Sequence, residues 1–220
     1  MRGKILIAIV FAIILFSAYQ IFGHSANVEK ANTEIISAGA QISNTNWEES
    51  INSYSSTFEN SLKNCNPVRS PQKNYVQISN PTAKELAFSL TRDSKTDLEK
   101  ANAFFEYASD EIKYNRYDNW RTTSEVLETK DGDCTDKSIV LVSMLKNVGI
   151  DSYIVYGNEI DDYSHAWVSA KIEGRWMQID PTAKEFYYIY SCLADESCEY
   201  NNYYLPIAGI FDENEVLKCN

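Results

Sequence analysis

The hydrophobic and polar positions of the chain divide it into three regions. Residues 5–22 are almost purely apolar, with Tyr19 and Gln20 as the clearest interruptions. Residues 24–64 are rich in Asn, Ser, Thr and Glu, and their thinly spaced apolar positions follow a helical period in part. Residues 65–220 hold denser apolar segments that are separated by turn residues. The pattern predicts an apolar N-terminal helix, a polar and partly helical stalk, and one globular domain.

The N-terminal apolar run is long enough to cross a membrane, because roughly 18–20 apolar residues span the hydrocarbon layer as a helix. Arg2 and Lys4 precede it, and the positive-inside rule keeps such cations in the cytoplasm. Residues 1–23 are therefore interpreted as a transmembrane signal anchor, with the globular domain on the extracytoplasmic side. The alternative is a cleaved signal peptide, although no small-x-small cleavage site is found at Ala18 or Ala26. Both interpretations export the domain.

Helical periodicity dominates the first half of the globular region. Helix-start signals precede the apolar-periodic segments 83–90 and 97–112, and residues 124–127 indicate a short helical turn. Residues 134–147 are apolar on nearly every side and end before Gly149, a common helix stop. A helix that is apolar all round lies in the middle of a domain.

Strand-like runs follow the central helix. Residues 153–156, 166–172 and 175–179 are rich in β-branched and aromatic residues, and residues 157–162 and 173–174 separate them as turns. Helices followed by an antiparallel meander predict an α+β domain in which the central helix packs on the sheet.

Charge and composition exclude several classes of protein. The chain has 20 Lys and Arg against 31 Asp and Glu, a net charge of -11, so a nucleic-acid partner is not expected. Hydrophobic residues make up 44% of the chain, which excludes global disorder. The three aspartates at 131, 133 and 136 fail the calcium-loop spacing, and the acidic residues at 159, 161 and 162 are interpreted as a solvated turn. No metal and no cofactor is predicted.

Three residues carry the candidate chemistry. Beyond His24 the chain has a single histidine, His165, which begins a predicted strand; Asp180 ends the next strand, and Cys134 begins the central helix. A cysteine at a helix N-terminus is favoured as the thiolate. A neighbouring imidazole can take the thiol proton, and a carboxylate on its other nitrogen fixes the tautomer. These residue types in these places predict a thiol nucleophile.

Four motifs in order make the sequence similar to a known family. They are D-N-W-R-T-T-S-E-V-L at 118–127, G-D-C-T-D at 132–136, S-H-A-W-V at 164–168 and G-R-W-M-Q-I-D-P-T at 174–182. Over residues 98–182 the chain resembles the transglutaminase-like superfamily, and most closely its prokaryotic cysteine peptidases. The resemblance implies a papain-like fold in which Cys134 is the nucleophile, His165 the acid/base and Asp180 the orienting group.

The resemblance also gives roles to residues beside these three. Trp120 and Trp167 are the candidates for the substrate groove or the oxyanion, while the safer oxyanion donor is the Cys134 backbone N–H at the helix start. Asp136 is expected to give structural support. Thr135 departs from the family by replacing a common Glu, and Lys137 brings a charge beside the site.

Members of that family hydrolyse peptides or amides or transfer glutaminyl groups to amines, and some only bind. The prediction is a membrane-anchored cysteine peptidase that acts on a protein or peptide. A transamidase, a cell-wall amidase and a non-catalytic peptide-binding or scaffold protein remain open.

The five cysteines fit an exported thiol protein. In an oxidising compartment an odd number leaves one cysteine unpaired. The pairs Cys65–Cys219 and Cys192–Cys198 would leave Cys134 free; other connectivities remain open.

Overall fold

The computed structural model describes residues 46–158, 164–183, 185–186 and 207–219. The predicted anchor at 1–23, the acidic turn at 159–162 and the Cys192–Cys198 pair lie outside these ranges. A compact unit begins at Asn46. None of the helices within the described ranges is both long and apolar enough to span a bilayer.

Five α-helices lie in the described part of this unit, and polar caps start four of them. They are α1 (Asn46–Asn64), α2 (Pro81–Leu90), α3 (Asp97–Glu106), α4 (Thr123–Thr129) and α5 (Cys134–Asn147), with a 3-10 turn at Pro71–Tyr75 before α2. The side chains of Asn80, Thr96, Thr122 and Asp133 accept backbone N–H groups of the first turns of α2 to α5. These caps fix where each helix begins, including the one that opens with Cys134.

The helix predicted over 97–112 changes its winding before it ends. It is α-helical to Glu106 and then widens into a π turn at Tyr107–Glu111. Single π turns of this kind are frequent at functional sites. The apolar period still holds across the turn, since Ala108 and Ile112 are fully buried.

The strands form one large antiparallel sheet and one small parallel pair. They are β1 (Asn66–Pro67), β2 (Lys113–Tyr114), β3 (Asp131–Gly132), β4 (Ser152–Asn158), β5 (Ser164–Ile172), β6 (Arg175–Ile179), β7 (Ile207–Phe211) and β8 (Val216–Lys218). The large sheet has six strands in the order β1-β8-β7-β4-β5-β6, and β2 pairs with β3. The predicted α+β class and antiparallel sheet are confirmed, and β1, β7 and β8 extend the sheet beyond the predicted meander.

The hairpin between β5 and β6 turns at Glu173 and Gly174, as predicted. Both residues have positive φ, 50° and 84°, which matches the turn type that suits the twist of two neighbouring strands. The hairpin matters for the site because it sets the start of β5 beside the end of β6.

The large sheet separates two hydrophobic clusters. On one face, α5 packs on β4 and β5 and is itself covered by α2, α3 and α4. On the other face, Tyr54 and Phe58 of α1 pack against Val155, Trp167 and Trp176. Residues 46–64, which the polar composition assigned to the stalk, therefore belong to the compact unit, because they carry an apolar stripe that covers the sheet.

One disulfide ties α1 to the end of the sheet. Cys65 and Cys219 are bonded, as predicted, and they join the end of α1 to the residue that follows β8. Cys134 is the free cysteine of the described ranges.

Candidate functional site

Cys134 is the first residue of α5, and its surroundings hold the helix end in place. Asp133 accepts the N–H groups of Thr135 and Asp136 at 2.9 and 3.2 Å through one carboxylate oxygen. This cap satisfies two of the free amides of the first turn. Cys134 is partly exposed and is not part of a disulfide.

His165 and Asp180 come from neighbouring strands of the sheet. His165 lies near the start of β5, and Asp180 directly follows the last residue of β6. The ring Nε2 of His165 lies 2.8 Å from the Asp180 carboxylate. Asp180 is 4% exposed, and its other oxygen accepts the Thr182 N–H and hydroxyl at 2.8 and 2.7 Å. The carboxylate is therefore fixed on both oxygens and can hold only one orientation of the ring.

The structure also brings the Cys134 thiol to His165. The imidazole is mostly buried, and burial by itself lowers its pKa. Hydrogen bonds with Asp180 and Cys134 outweigh burial and raise the pKa of His165 to about 10. Since Nε2 bonds Asp180, Nδ1 is the ring nitrogen left for the sulfur. The three predicted side chains thus meet, in the order thiol, imidazole, carboxylate.

The same bonds act on Asp180. Burial raises its pKa, but the hydrogen bond and charge of His165 and the bonds from Thr182 lower it further, so the net shift of the pKa is downward. Asp180 is held as an anion, and His165 beside it as a cation.

A second buried pair supports the loop before Cys134. Arg121 donates from Nε and Nη2 to one oxygen of Asp136 at 3.0 and 2.9 Å, and its backbone N–H reaches the other oxygen at 3.2 Å. Asp136 is fully buried. Arg121 also binds the Asp131 carbonyl and, at 3.3 Å, its carboxylate. The pair therefore fastens the motif at 118–127 to the first turn of α5, which carries the thiol, and this is the structural support expected of Asp136.

Gly132 is required by this arrangement. A Cβ at this position would stand 2.6 Å from Cβ of Asp136 and 3.1 Å from Nη2 of Arg121. Only a residue without a side chain lets the loop run this close to the ion pair.

The two predicted tryptophans have different surroundings. Trp167 is fully buried on the α1 face of the sheet, and its indole N–H donates to the Tyr54 hydroxyl at 3.4 Å. The ring and its donor are therefore enclosed, and the role of Trp167 as a substrate or oxyanion candidate stays a prediction. Its ring lies 6.2 Å from that of His165, so it packs beneath the imidazole.

Trp120 stays partly exposed and belongs to an aromatic cluster. It stacks on Phe211 at 5.3 Å and makes edge contacts with Tyr75 and Tyr156. Its role near an oxyanion stays a prediction.

Two further residues shape the site without having been predicted to do so. The ion pair of Arg121 could not be predicted from local sequence, because its partner Asp136 lies 15 residues away. The role of Thr182 could have been predicted, since an aspartate followed two residues later by a threonine is typical of an aspartate side chain that accepts bonds from the turn after it.

No group of three or more metal-ligating side chains lies together in the portion of the chain that the structure describes.

Comparison with known proteins agrees with this geometry. The model of the transglutaminase-like superfamily matches residues 84–181, which include all three side chains. No curated protein matches the chain.

Several solved structures are similar at low identity. A candidate cysteine protease from Cytophaga hutchinsonii is 18% identical over 53% of this chain and 40% of that one, with a TM-score of 0.45. The periplasmic domain of TgpA from Pseudomonas aeruginosa is 22% identical over 55% and 47%, with a TM-score of 0.41. LapG from Legionella pneumophila, treated with EGTA, is 14% identical over 70% and 88%, with a TM-score of 0.47. The matched region spans less than half of the first two proteins, and at these scores the likenesses carry no argument about activity.

The family match, the four motifs and the fold coincide on the same residues. The match begins within α2 and ends one residue after Asp180, so it contains α5, β4, β5 and β6. Residues 84–181, and the candidate site within them, are therefore similar to the transglutaminase-like superfamily.

Proposed function

We propose that the protein is a thiol hydrolase that cleaves peptide or side-chain amide bonds, with Cys134, His165 and Asp180 as its catalytic triad. The observation that supports this most strongly is the buried hydrogen bond from His165 to Asp180 together with the bond between His165 and the free thiol. A structural histidine does not need a thiol on one nitrogen and a doubly anchored carboxylate on the other.

The first half of the reaction forms an acyl-enzyme. The Cys134 thiolate adds to the amide carbonyl carbon, and the charge that develops on the oxygen is met by the backbone N–H of Cys134 at the start of α5. His165 then gives its proton to the amide nitrogen as the C–N bond breaks, and the amine leaves. The product is a thioester on Cys134 and a neutral imidazole.

The second half returns the enzyme to its starting state. The neutral His165 takes a proton from water as the water oxygen adds to the thioester carbonyl. The C–S bond breaks, the carboxylic acid leaves, and the thiolate and imidazolium are restored. Asp180 stays ionised throughout and holds the ring in place.

We also propose that the enzyme works outside the cytoplasm, tethered by residues 1–23. The Cys65–Cys219 disulfide supports an oxidising compartment. The apolar run with Arg2 and Lys4 before it supports a membrane anchor.

The test uses the full chain in detergent with casein and a labelled primary amine. The wild type should release peptides from casein, and Cys134→Ser, which keeps the size of the side chain, should not. Amine incorporation in place of cleavage would instead identify a transamidase, which uses the same thioester. Equal activity in both proteins would exclude a thiol enzyme and favour the peptide-binding or scaffold function.

A further inference from the structure

Lys137 is a buried cation that the proposed reaction does not use. It lies on α5 three residues after Cys134, and only 3% of its surface is exposed. Lysines are almost never this buried unless they are paired. Its Nζ donates to the backbone carbonyl of Ser109 at 3.0 Å, and this is a neutral acceptor.

The acceptor belongs to the π turn at Tyr107–Glu111. Lys137 therefore links the helix that carries the thiol to the widened end of α3. Such a link fixes the position of the π turn, but a neutral amide donor would do this as well as an ammonium group. The hydrogen bond therefore does not explain why a charged residue occupies this position.

A cavity beside the Lys137–Ser109 hydrogen bond suggests a role for the charge. Lys137, Ser109 and Thr182 line an open cavity of about 590 Å³. Thr182 is the residue that donates twice to Asp180. Lys137 thus faces the same space as the segment that holds the triad carboxylate.

The charges around Lys137 come from several elements. Burial lowers the pKa of Lys137, and Asp110 from the π turn and Asp180 from the end of β6 act against that shift by attraction. On its own helix, Asp136 is already paired with Arg121. The other charged groups nearby are Asp133 at the cap of α5, His165 on β5, and Lys113, which lines the same cavity but is exposed.

The thiol is a further neighbour. Side chains three residues apart on a helix lie on the same face, about 5–6 Å apart at Cβ. Cys134 and Lys137 have this spacing, so the thiol lies on the side of α5 that carries the ammonium group.

We propose that Lys137 is a positioning residue of the candidate site, whose buried positive charge stabilises both the Asp180 carboxylate and the Cys134 thiolate while its hydrogen bond fixes the π turn. This inference rests on the proposed function in one respect, because it assumes that the thiolate is the working form of Cys134.

The test measures the rate at which iodoacetamide alkylates Cys134 as a function of pH, followed by mass spectrometry on the peptide that contains it. The full chain is compared with Lys137→Met, Lys137→Gln and Lys137→Arg. Removing a nearby cation disfavours the deprotonated thiol, so Met and Gln should move the midpoint of the profile up by about 0.5–1 pH unit. Arg keeps the charge and should keep the midpoint. Gln keeps a donor for Ser109, which separates the charge from the hydrogen bond.

Lys113→Met is the matched control, because it removes an exposed charge from the same cavity. Its midpoint should stay at the wild-type value. Wild-type midpoints for both Met and Gln, even with a lower melting temperature, would overturn the proposal and leave Lys137 as a structural anchor. If circular dichroism shows that the Met variant does not fold, the Gln and Arg variants decide the question in the same way.

The outcome for the wild type separates this inference from the proposed function. A wild-type midpoint near about 8.5, the value of an ordinary thiol, would overturn the enzyme proposal. The comparison between wild type and Lys137→Gln would still report whether the lysine charge acts on the thiol.

Discussion

The two ends of α5 each carry buried ion pairs, but only one of them leaves a reactive group open. At the carboxyl end, Lys146 reaches Asp212 at 2.5 Å and Glu213 at 3.1 Å in the turn between β7 and β8. At the amino end, Arg121 and Asp136 form an ion pair at 2.9 Å, but the helix also begins with the partly exposed free Cys134, which bonds His165.

The difference follows from the helix itself. Acidic groups at the start and basic groups at the end both suit the helix dipole, so Asp133 and Lys146 are each favourable where they lie. At the carboxyl end the last carbonyls are closed by backbone bonds from Gly149 and Ile150. At the amino end the cap takes the N–H groups of Thr135 and Asp136, and the N–H of Cys134 is the proposed oxyanion donor. The carboxyl end of α5 therefore has a structural role, and the amino end carries the candidate site.

The largest expected effect on the rate of peptide hydrolysis comes from removing the Cys134 thiol at the amino end of α5. Cys134→Ser should lower peptide hydrolysis by at least about 10³-fold, because the triad acts as a unit. Lys146→Met alters the other end and should keep the wild-type rate per folded molecule. Steady-state assays with casein, corrected for the folded fraction, check both; a similar loss in the two variants would contradict a division of labour between the ends.

The next effect compares two buried aspartates. Asp180→Asn leaves the shape but removes the charge that orients His165, so hydrolysis should fall about 10²- to 10⁴-fold. Asp212→Asn removes a buried charge of similar exposure, 2% against 4%, at the closed end of the helix. It should keep the rate, and the measurement is kcat for each variant at a temperature where both are folded.

For the free energy of unfolding, the variant at the carboxyl end of α5 should have the larger effect. Lys146→Met leaves the buried Asp212 and the partly buried Glu213 without their cation, and breaking such a pair costs about 3 kcal/mol in the free energy of unfolding. Urea unfolding followed by circular dichroism measures this. Cys134→Ser is the comparison and should change the same quantity by less than about 1 kcal/mol.

The pH dependence of stability should isolate His165. Its pKa in the folded chain is raised to about 10 from 6.5, so the folded state favours the protonated ring. The resulting stabilisation is complete below about pH 6.5 and is lost as the pH rises towards about 10. His165→Gln should therefore lower the free energy of unfolding by about 2 kcal/mol at pH 6 and by much less at pH 10. A difference that stays constant over this range would show that the ring is not held as a cation.

The smallest effect belongs to the helix stop. Gly149 has a φ of +81°, and a Cβ there would touch nothing within 4 Å. Gly149→Ala therefore adds backbone strain alone, about 1 kcal/mol in the free energy of unfolding, with no change in activity. Gly132→Ala is the contrasting variant, since its Cβ would press on Asp136 and should also reduce thiol reactivity.

The sequence alone predicts the elements that have a dense local pattern and misses those that depend on contacts between distant residues. The bounds of α5 and β6 agree with the prediction because their apolar patterns are dense and their ends carry clear stop signals. β1 and β8 were missed because two or three residues are too short to show alternation. The packing of α1 was missed because a narrow apolar stripe is hidden in a polar composition.

The candidate site shows the same limit. The motifs brought Cys134, His165 and Asp180 forward because each lies at the end of an element that could be predicted. The bonds from Lys137 to Ser109 and from Arg121 to Asp136 join residues 28 and 15 positions apart, and no local sequence pattern predicts them. The burial of Trp167 against α1 was not predicted, because the sequence does not show which face of β5 that helix covers.

The most direct test of the central claim is the reactivity of the Cys134 thiol at low pH with and without His165. At pH 6, iodoacetamide should alkylate Cys134 of the wild type at least about 10-fold faster than it alkylates glutathione, because a neighbouring imidazolium activates a cysteine nucleophile. His165→Ala should lose this advantage. Equal rates for wild type, variant and glutathione would contradict the account, since the thiol and the imidazole would then not act as a pair.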